Sequence, residues 1–209
     1  MTERTRLAFA TTATTDAGQS PSFTRKGAVW SEVAFLADAM YRVRLGGMLR
    51  STWMIGVCSG LAHARLSIQR AHARRLSHDG TWIAELHVVA LGVDTAGTAD
   101  PMDLPLIRFA EESPSESSKP LVLRGYELIP STDHGGTLRL DFRAQDAVGL
   151  LGSLLTAFAR LSLLPVEMHI DTRDQEAHDC LWLATATGSK PTQADWSALN
   201  QLLAASVSH

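Results

Sequence analysis

The chain has 209 residues, of which 45% are hydrophobic and 20% charged, enough for one ordinary domain or two small ones and too apolar for a largely disordered chain. Its 19 basic and 22 acidic residues leave a formal charge of -3, so no basic excess points to nucleic acid or to an anionic membrane as partner. Two distant cysteines, Cys58 and Cys180, do not make a disulfide framework, and no apolar run approaches the roughly 18–20 residues that span a bilayer. A cytoplasmic protein is the expectation.

Residues 1–26 are rich in Thr, Ser and Ala without a sustained period, and Glu3 and Asp16 interrupt any apolar stretch. They read as a flexible tail rather than a signal peptide. Residues 27–110 form a first folded half. The segment 29–40 is apolar but fits helix or strand equally. Tyr41–Leu45 reads as a strand, 51–65 as a helix, and 66–74 and 81–91 as strands. Prolines at 101 and 105 confine any second helix to 103–112. The polar stretch 111–120, with two prolines and four serines, reads as a linker.

The second half, 121–209, is clearer. LVLRGYELIP at 121–130 is strand-like. In 137–144, Leu138, Leu140 and Phe142 alternate with Arg139, Asp141 and Arg143, the pattern of a half-buried strand. A helix follows over 148–162, then strands over 165–171 and 180–187. A last helix over 192–206 is capped by Thr192. The two halves repeat one order of elements. LSIQRAHARR at 66–75 lies on LPVEMHIDTR at 164–173 with an offset of 98, and Trp82 on Trp182 with an offset of 100. On that alignment Leu66, Ile68, Arg70 and His72 face the helices, as Met168 and Ile170 do. Trp53, Trp82, Trp182 and Trp196 are the expected aromatic anchors of the core.

Asp146-Ala-Val-Gly149-Leu150-Leu151, set between a strand and a helix, resembles the Asp-X-X-Gly-Leu-Leu turn of ACT domains, the small regulatory modules attached to many amino-acid enzymes. The resemblance is carried by 137–206. In 41–110 it is loose, since Gly46-Gly47-Met48-Leu49-Arg50-Ser51 stands where the turn belongs. It implies an α+β fold of two ferredoxin-like βαββα domains, with antiparallel sheets and helices on one face. It also implies an amino acid or related carboxylate bound where two such units meet. Backbone N–H groups of Val148, Gly149 and Leu150 would receive the carboxylate, Asp146 an amine, and Arg50, Ser51 or Arg70 the far end. Action would pass through a homodimer or a regulatory partner.

Two other readings stay open. A small enzyme on the same scaffold would draw on His72, Arg70, His169 and Asp171, an acid–His–Arg set suited to proton transfer. A purely structural module would use a sheet edge to recruit another chain. The eight histidines are dispersed and match no metal-binding spacing, there is no phosphate or dinucleotide loop, and no metal or cofactor is expected. The junction of the halves separates these readings: a carboxylate-binding nest with an arginine nearby favours sensing, a buried acid–base pair with a shifted pKa favours catalysis, and a dry junction favours the structural module.

Overall fold

Side-chain alternation along the strands decides which face of the sheet is buried. In the computed structural model, which describes residues 28–76, 80–91, 101–112 and 121–207, Thr137–Gln145 forms a strand with Leu138, Leu140, Phe142 and Ala144 buried. Around it the chain builds an α+β fold. Strands β1 (Trp30–Ala37) and β2 (Met40–Met48) form a hairpin, followed by helix α1 (Trp53–His63), β3 (Leu66–Arg75), β4 (Thr81–Ala90) and helix α2 (Leu106–Glu111). The second run is β5 (Gly125–Ser131), β6 (Thr137–Gln145), α3 (Leu150–Arg160), β7 (Leu163–Arg173), β8 (Glu176–Thr185) and α4 (Gln193–Ala204). The expected tail at 1–26 lies outside the described residues, as do residues 113–120 of the expected linker.

All eight strands join one antiparallel sheet in the order β1-β2-β4-β3-β7-β8-β6-β5. The segment 29–40, undecided by periodicity, is the edge strand β1 and its turn into β2. The two runs pair internally in the same way, and among the described residues their strands join at β3 and β7, where Arg70 faces Asp171, His72 faces His169 and Arg74 faces Glu167. The helices lie on one face. α1 packs on α2 and on α3, and Tyr126 on β5 donates its hydroxyl to Asn200 Oδ1 of α4 at 3.0 Å. The Thr192 cap holds as a reciprocal box with Asp195, whose carboxylate accepts the Thr192 backbone N–H at 2.7 Å.

Two bulges, at matching positions of the halves, set which side chains face inward. β3 carries one extra residue between Ile68 and Arg70, and β7 one between Pro165 and Glu167. A bulge moves every later side chain to the opposite face. Ala71 and Ala73 therefore turn inward, and Arg70 and His72 turn to the outer face, contrary to the alternation read from the sequence. Met168 and Ile170 do face the core. The offset between halves is 97 (150 against 53 at the helix starts, 169 against 72 at the seam) rather than 98. The two Trp-X-Ala motifs are not equivalent: Trp82 is buried under α1, while Trp182 is half-exposed on the outer face.

The core is continuous beneath the helices. Trp53 is fully buried and meets Trp82 edge to face, with ring centroids 5.6 Å apart. Trp196 is only half-buried. Trp53→Ala is expected to cost about 3–5 kcal/mol in denaturant unfolding. Trp196→Ala is expected to cost clearly less, and equal losses would contradict this ordering of the core.

Candidate functional site

The turn before α3 is built for close approach. Gly149 sits at φ +85°, the left-handed region that a side chain rarely adopts, and forms the N-cap of α3. The turn folds back on itself, with Leu150 N–H donating to the Ala147 carbonyl at 2.9 Å. Of the three backbone groups expected to receive a carboxylate, the one at Leu150 is thus already engaged within the turn.

Across from this turn stand residues of the first half. Cys58 and Ala62 of α1 and Leu66, Ser67 and Ile68 of β3 close a small cavity against Asp146–Gly152, Ile170, Thr172 and Asp179. Its volume is about 30 Å³, room for roughly one water molecule. Ser67 donates its hydroxyl to Asp146 Oδ2 at 3.3 Å, and Gln69 Nε2 donates to Ser67 Oγ at 3.1 Å. Asp146, Val148, Gly149 and Leu150 all line the cavity, so the turn read from sequence meets the facing half.

The other predicted contacts lie elsewhere. Arg50 donates Nη1 to the Glu111 carbonyl at 2.6 Å, and neither it nor Ser51 lines the cavity. Gly46 and Gly47 belong to β2 rather than to a ligand turn. A Cβ on Gly46 would come within 2.5 Å of the Trp30 ring, so that glycine makes room for the edge strand. Arg70 stands on the outer face, 3.6 Å from Asp171 Oδ1.

Asp179, which sequence reasoning passed over, is the buried polar group of the junction. It lies on the helix side of β8, 5% exposed, and accepts the Asp171 backbone N–H at 3.2 Å. Burial pushes its carboxyl up to about 7. The Asp171 N–H opposes that rise, and the nearby carboxylates of Asp146 and Asp171 add to it. The signal was available: Asp179 occupies an inward position of an alternating strand, where a charged residue is exceptional. No basic side chain is among the residues lining the cavity. Cys58 beside it is inert, its thiol pushed up to about 12 by burial and then by Asp179.

The outer face of the same strands gathers a second group. Glu167 Oε1 is 2.8 Å from His169 Nε2 and 3.5 Å from His72 Nε2, and its Oε2 is 3.0 Å from His134 Nε2. Partial burial alone would raise the Glu167 carboxyl, but hydrogen bonding and charge from His169, His134 and His72 hold it below its ordinary value. Trp182 flanks His169 and His134, with centroids at 5.4 and 6.2 Å, and donates its indole N–H to Asp133 Oδ2 at 3.1 Å. Arg70, His72, His169 and Asp171, named from sequence as a proton-transfer set, stand side by side along the β3–β7 seam. Alternation along the strand already puts Glu167 on this face beside His169 and Asp171, but His134 was not foreseen, because a histidine in a turn carries no spacing signal.

Asp179 gives the site a pH signature. Its pKa in the unfolded chain is about 3.9, so between that value and about 7 the unfolded chain releases a proton that the folded one keeps. This group's contribution to stability is full below about 4 and declines as pH rises through 7, by an amount on the order of a few kcal/mol. Asp179→Asn should remove that decline. Unfolding midpoints of both proteins across pH 4–8 measure it, and parallel profiles would contradict the assignment.

No family model matches the chain, and a search of curated proteins finds no match. Among solved structures, the chain is similar to the crystal structure of aspartate kinase from Synechocystis, with a TM-score of 0.44 and 14% sequence identity over 79% of this chain. The chain matches only 26% of that kinase's length. Among the described residues no helix is long and apolar enough to cross a membrane.

Proposed function

We propose that the chain is a regulatory module of two ACT-like, ferredoxin-like halves set side by side, which binds an amino acid or a closely related amine-bearing carboxylate between them. The observation that carries this reading is the cavity walled by both halves, with Asp146, Ser67 and Asp179 as its polar lining at the start of α3. The two carboxyl groups suit an ammonium group. The N-terminus of an eleven-residue helix suits a carboxylate, a preference worth some tenths to about 1 kcal/mol beyond the hydrogen bonds. A zwitterion satisfies both ends, and a dicarboxylate without an amine does not.

At about 30 Å³ the cavity must widen to admit an amino acid. Widening parts α1 from α3, which touch where a Cβ on Gly152 would lie 3.4 Å from Cys58 Cβ. Ligand binding is thereby coupled to the relation of the halves, the requirement for a regulatory signal. A partner protein or a second copy of the chain would read that change. The enzymatic alternative draws on Asp179, since a carboxyl pushed up to about 7 exchanges protons readily near neutrality.

Thermal-shift screening against amino acids and their deaminated relatives tests the reading. A ligand at about 100 times its dissociation constant adds roughly 2.7 kcal/mol of stability. Asp146→Ala should weaken an amino acid more than its deaminated relative. Ala62→Leu, which fills the cavity from the first half, should abolish the shift. It is a cleaner probe than Gly149→Val, which would force a branched side chain to φ +85°. No shift with any amino acid, or an unchanged shift in Ala62→Leu, would overturn the proposal. Turnover of a bound compound that disappears in Asp179→Asn would favour the enzyme.

A further inference from the structure

We propose that the outer face of the sheet binds one transition-metal dication at the β3–β7 seam, held by His72 Nε2, His169 Nε2 and the Glu167 carboxylate. The ligand atoms of His72, Glu167 and His169 all lie within 4.8 Å of one another. Zinc bonds nitrogen and oxygen at about 2.0–2.2 Å, which places the ligands of a tetrahedral site roughly 3.3–3.6 Å apart. Glu167 lies 3.5 Å from His72, within that range, and 2.8 Å from His169, below it. Small rotations about the side-chain torsions open the closer pair.

Three features separate this group from ordinary surface ion pairs. Every imidazole presents the same atom, Nε2, to a single carboxylate. The ligands come from two strands, β3 and β7, and His134, in the turn between β5 and β6, holds the second oxygen of Glu167 at 3.0 Å. The rings are also held before any ion arrives. His72 and His169 stack at 4.5 Å across the seam, and Trp182 braces His169 and His134 from the side while Asp133 fixes the indole. Pre-set ligands lose little freedom on binding.

The chemistry of the donors selects the ion. Two imidazoles and one carboxylate suit Zn²⁺, Ni²⁺, Co²⁺ or Cu²⁺ rather than Mg²⁺ or Ca²⁺, which prefer all-oxygen sites. Arg74, opposite Glu167 in the strand register, further limits the negative charge that a hard cation would need. Ligation requires the Nε2 lone pairs, so the imidazoles must carry any remaining proton on Nδ1.

The test uses the full chain without an affinity tag. Zn²⁺ is titrated calorimetrically in a non-chelating buffer, and Co²⁺ is followed by its visible absorption. The expected result is one ion per chain and a Co²⁺ spectrum of four- or five-coordinate nitrogen and oxygen ligation. His72→Ala, His169→Ala and Glu167→Gln should each weaken Zn²⁺ at least about tenfold, since even residues behind the ligands are worth that much. His63→Ala, on the opposite face in α1, should bind as the wild type does. Circular dichroism of each variant verifies its fold, and His72→Gln replaces His72→Ala should the latter unfold. Absence of Zn²⁺ and Co²⁺ binding in the wild type would overturn the proposal. So would folded His72 and His169 variants that bind Zn²⁺ within twofold of the wild type.

Discussion

The pairing of β3 with β7 is the constraint on which the rest of the molecule depends. Each half presents three strands and a hairpin edge. Only this antiparallel seam, running from Arg70 opposite Asp171 to Arg74 opposite Glu167, makes them one sheet. It brings α1 and α3 together on one face, and with them the cavity between Cys58, Ala62 and the turn at Asp146–Gly152. On the other face it brings His72 to His169. Ile170 points into the cavity, while its neighbours His169 and Asp171 belong to the outer cluster.

Small residues make the seam workable. Ala71 and Ala73 face the helices where Met168 and Ile170 lie opposite across the pair, so small meets large beneath α1 and α3. In α1, a Cβ on Gly60 would clash with the Phe109 ring and one on Gly56 with the Phe109 carbonyl, so both glycines let α2 close on α1. These choices leave a shallow space at the helix starts with Asp179 beneath it. A carboxyl is retained there although a leucine would pack with less cost, and burial holds it largely protonated at mildly acidic pH.

Much of this was legible in the residues. The alternation in Thr137–Gln145, the Thr192 cap and the Asp146–Leu151 turn each carry a local signal that the chain obeys. One error has a plain cause. A single extra residue in β3, and another in β7, leaves no trace in composition yet reverses every side chain beyond it. That is why Arg70 and His72 were read as facing the helices. Trp82 and Trp182 were taken as equivalents for another reason, the longer β3–β4 turn: Trp82 pairs with Arg75 at that turn, and Trp182 with Glu167 in mid-strand. β1 resisted assignment because an edge strand is covered on little of either face, and WSEVAFLA carries no clean alternation. The far wall of the cavity was missed because Ser67 and Ala62 carry no chemical signature of their own; only the seam gives them a role.

The seam also sets the tempo of folding. The hairpins β1–β2, β3–β4, β5–β6 and β7–β8 join strands that are neighbours along the chain, and each can form with little loss of chain entropy. The seam instead joins residues about a hundred positions apart, as Arg70 and Asp171 are, and closes the largest loop of the chain. It is therefore the last pairing to become favourable and the first to be lost. Interactions formed that late leave the folding rate nearly unchanged and act on the unfolding rate. A molecule that bridges the seam on either face would thus lengthen the lifetime of the folded chain more than it hastens its formation.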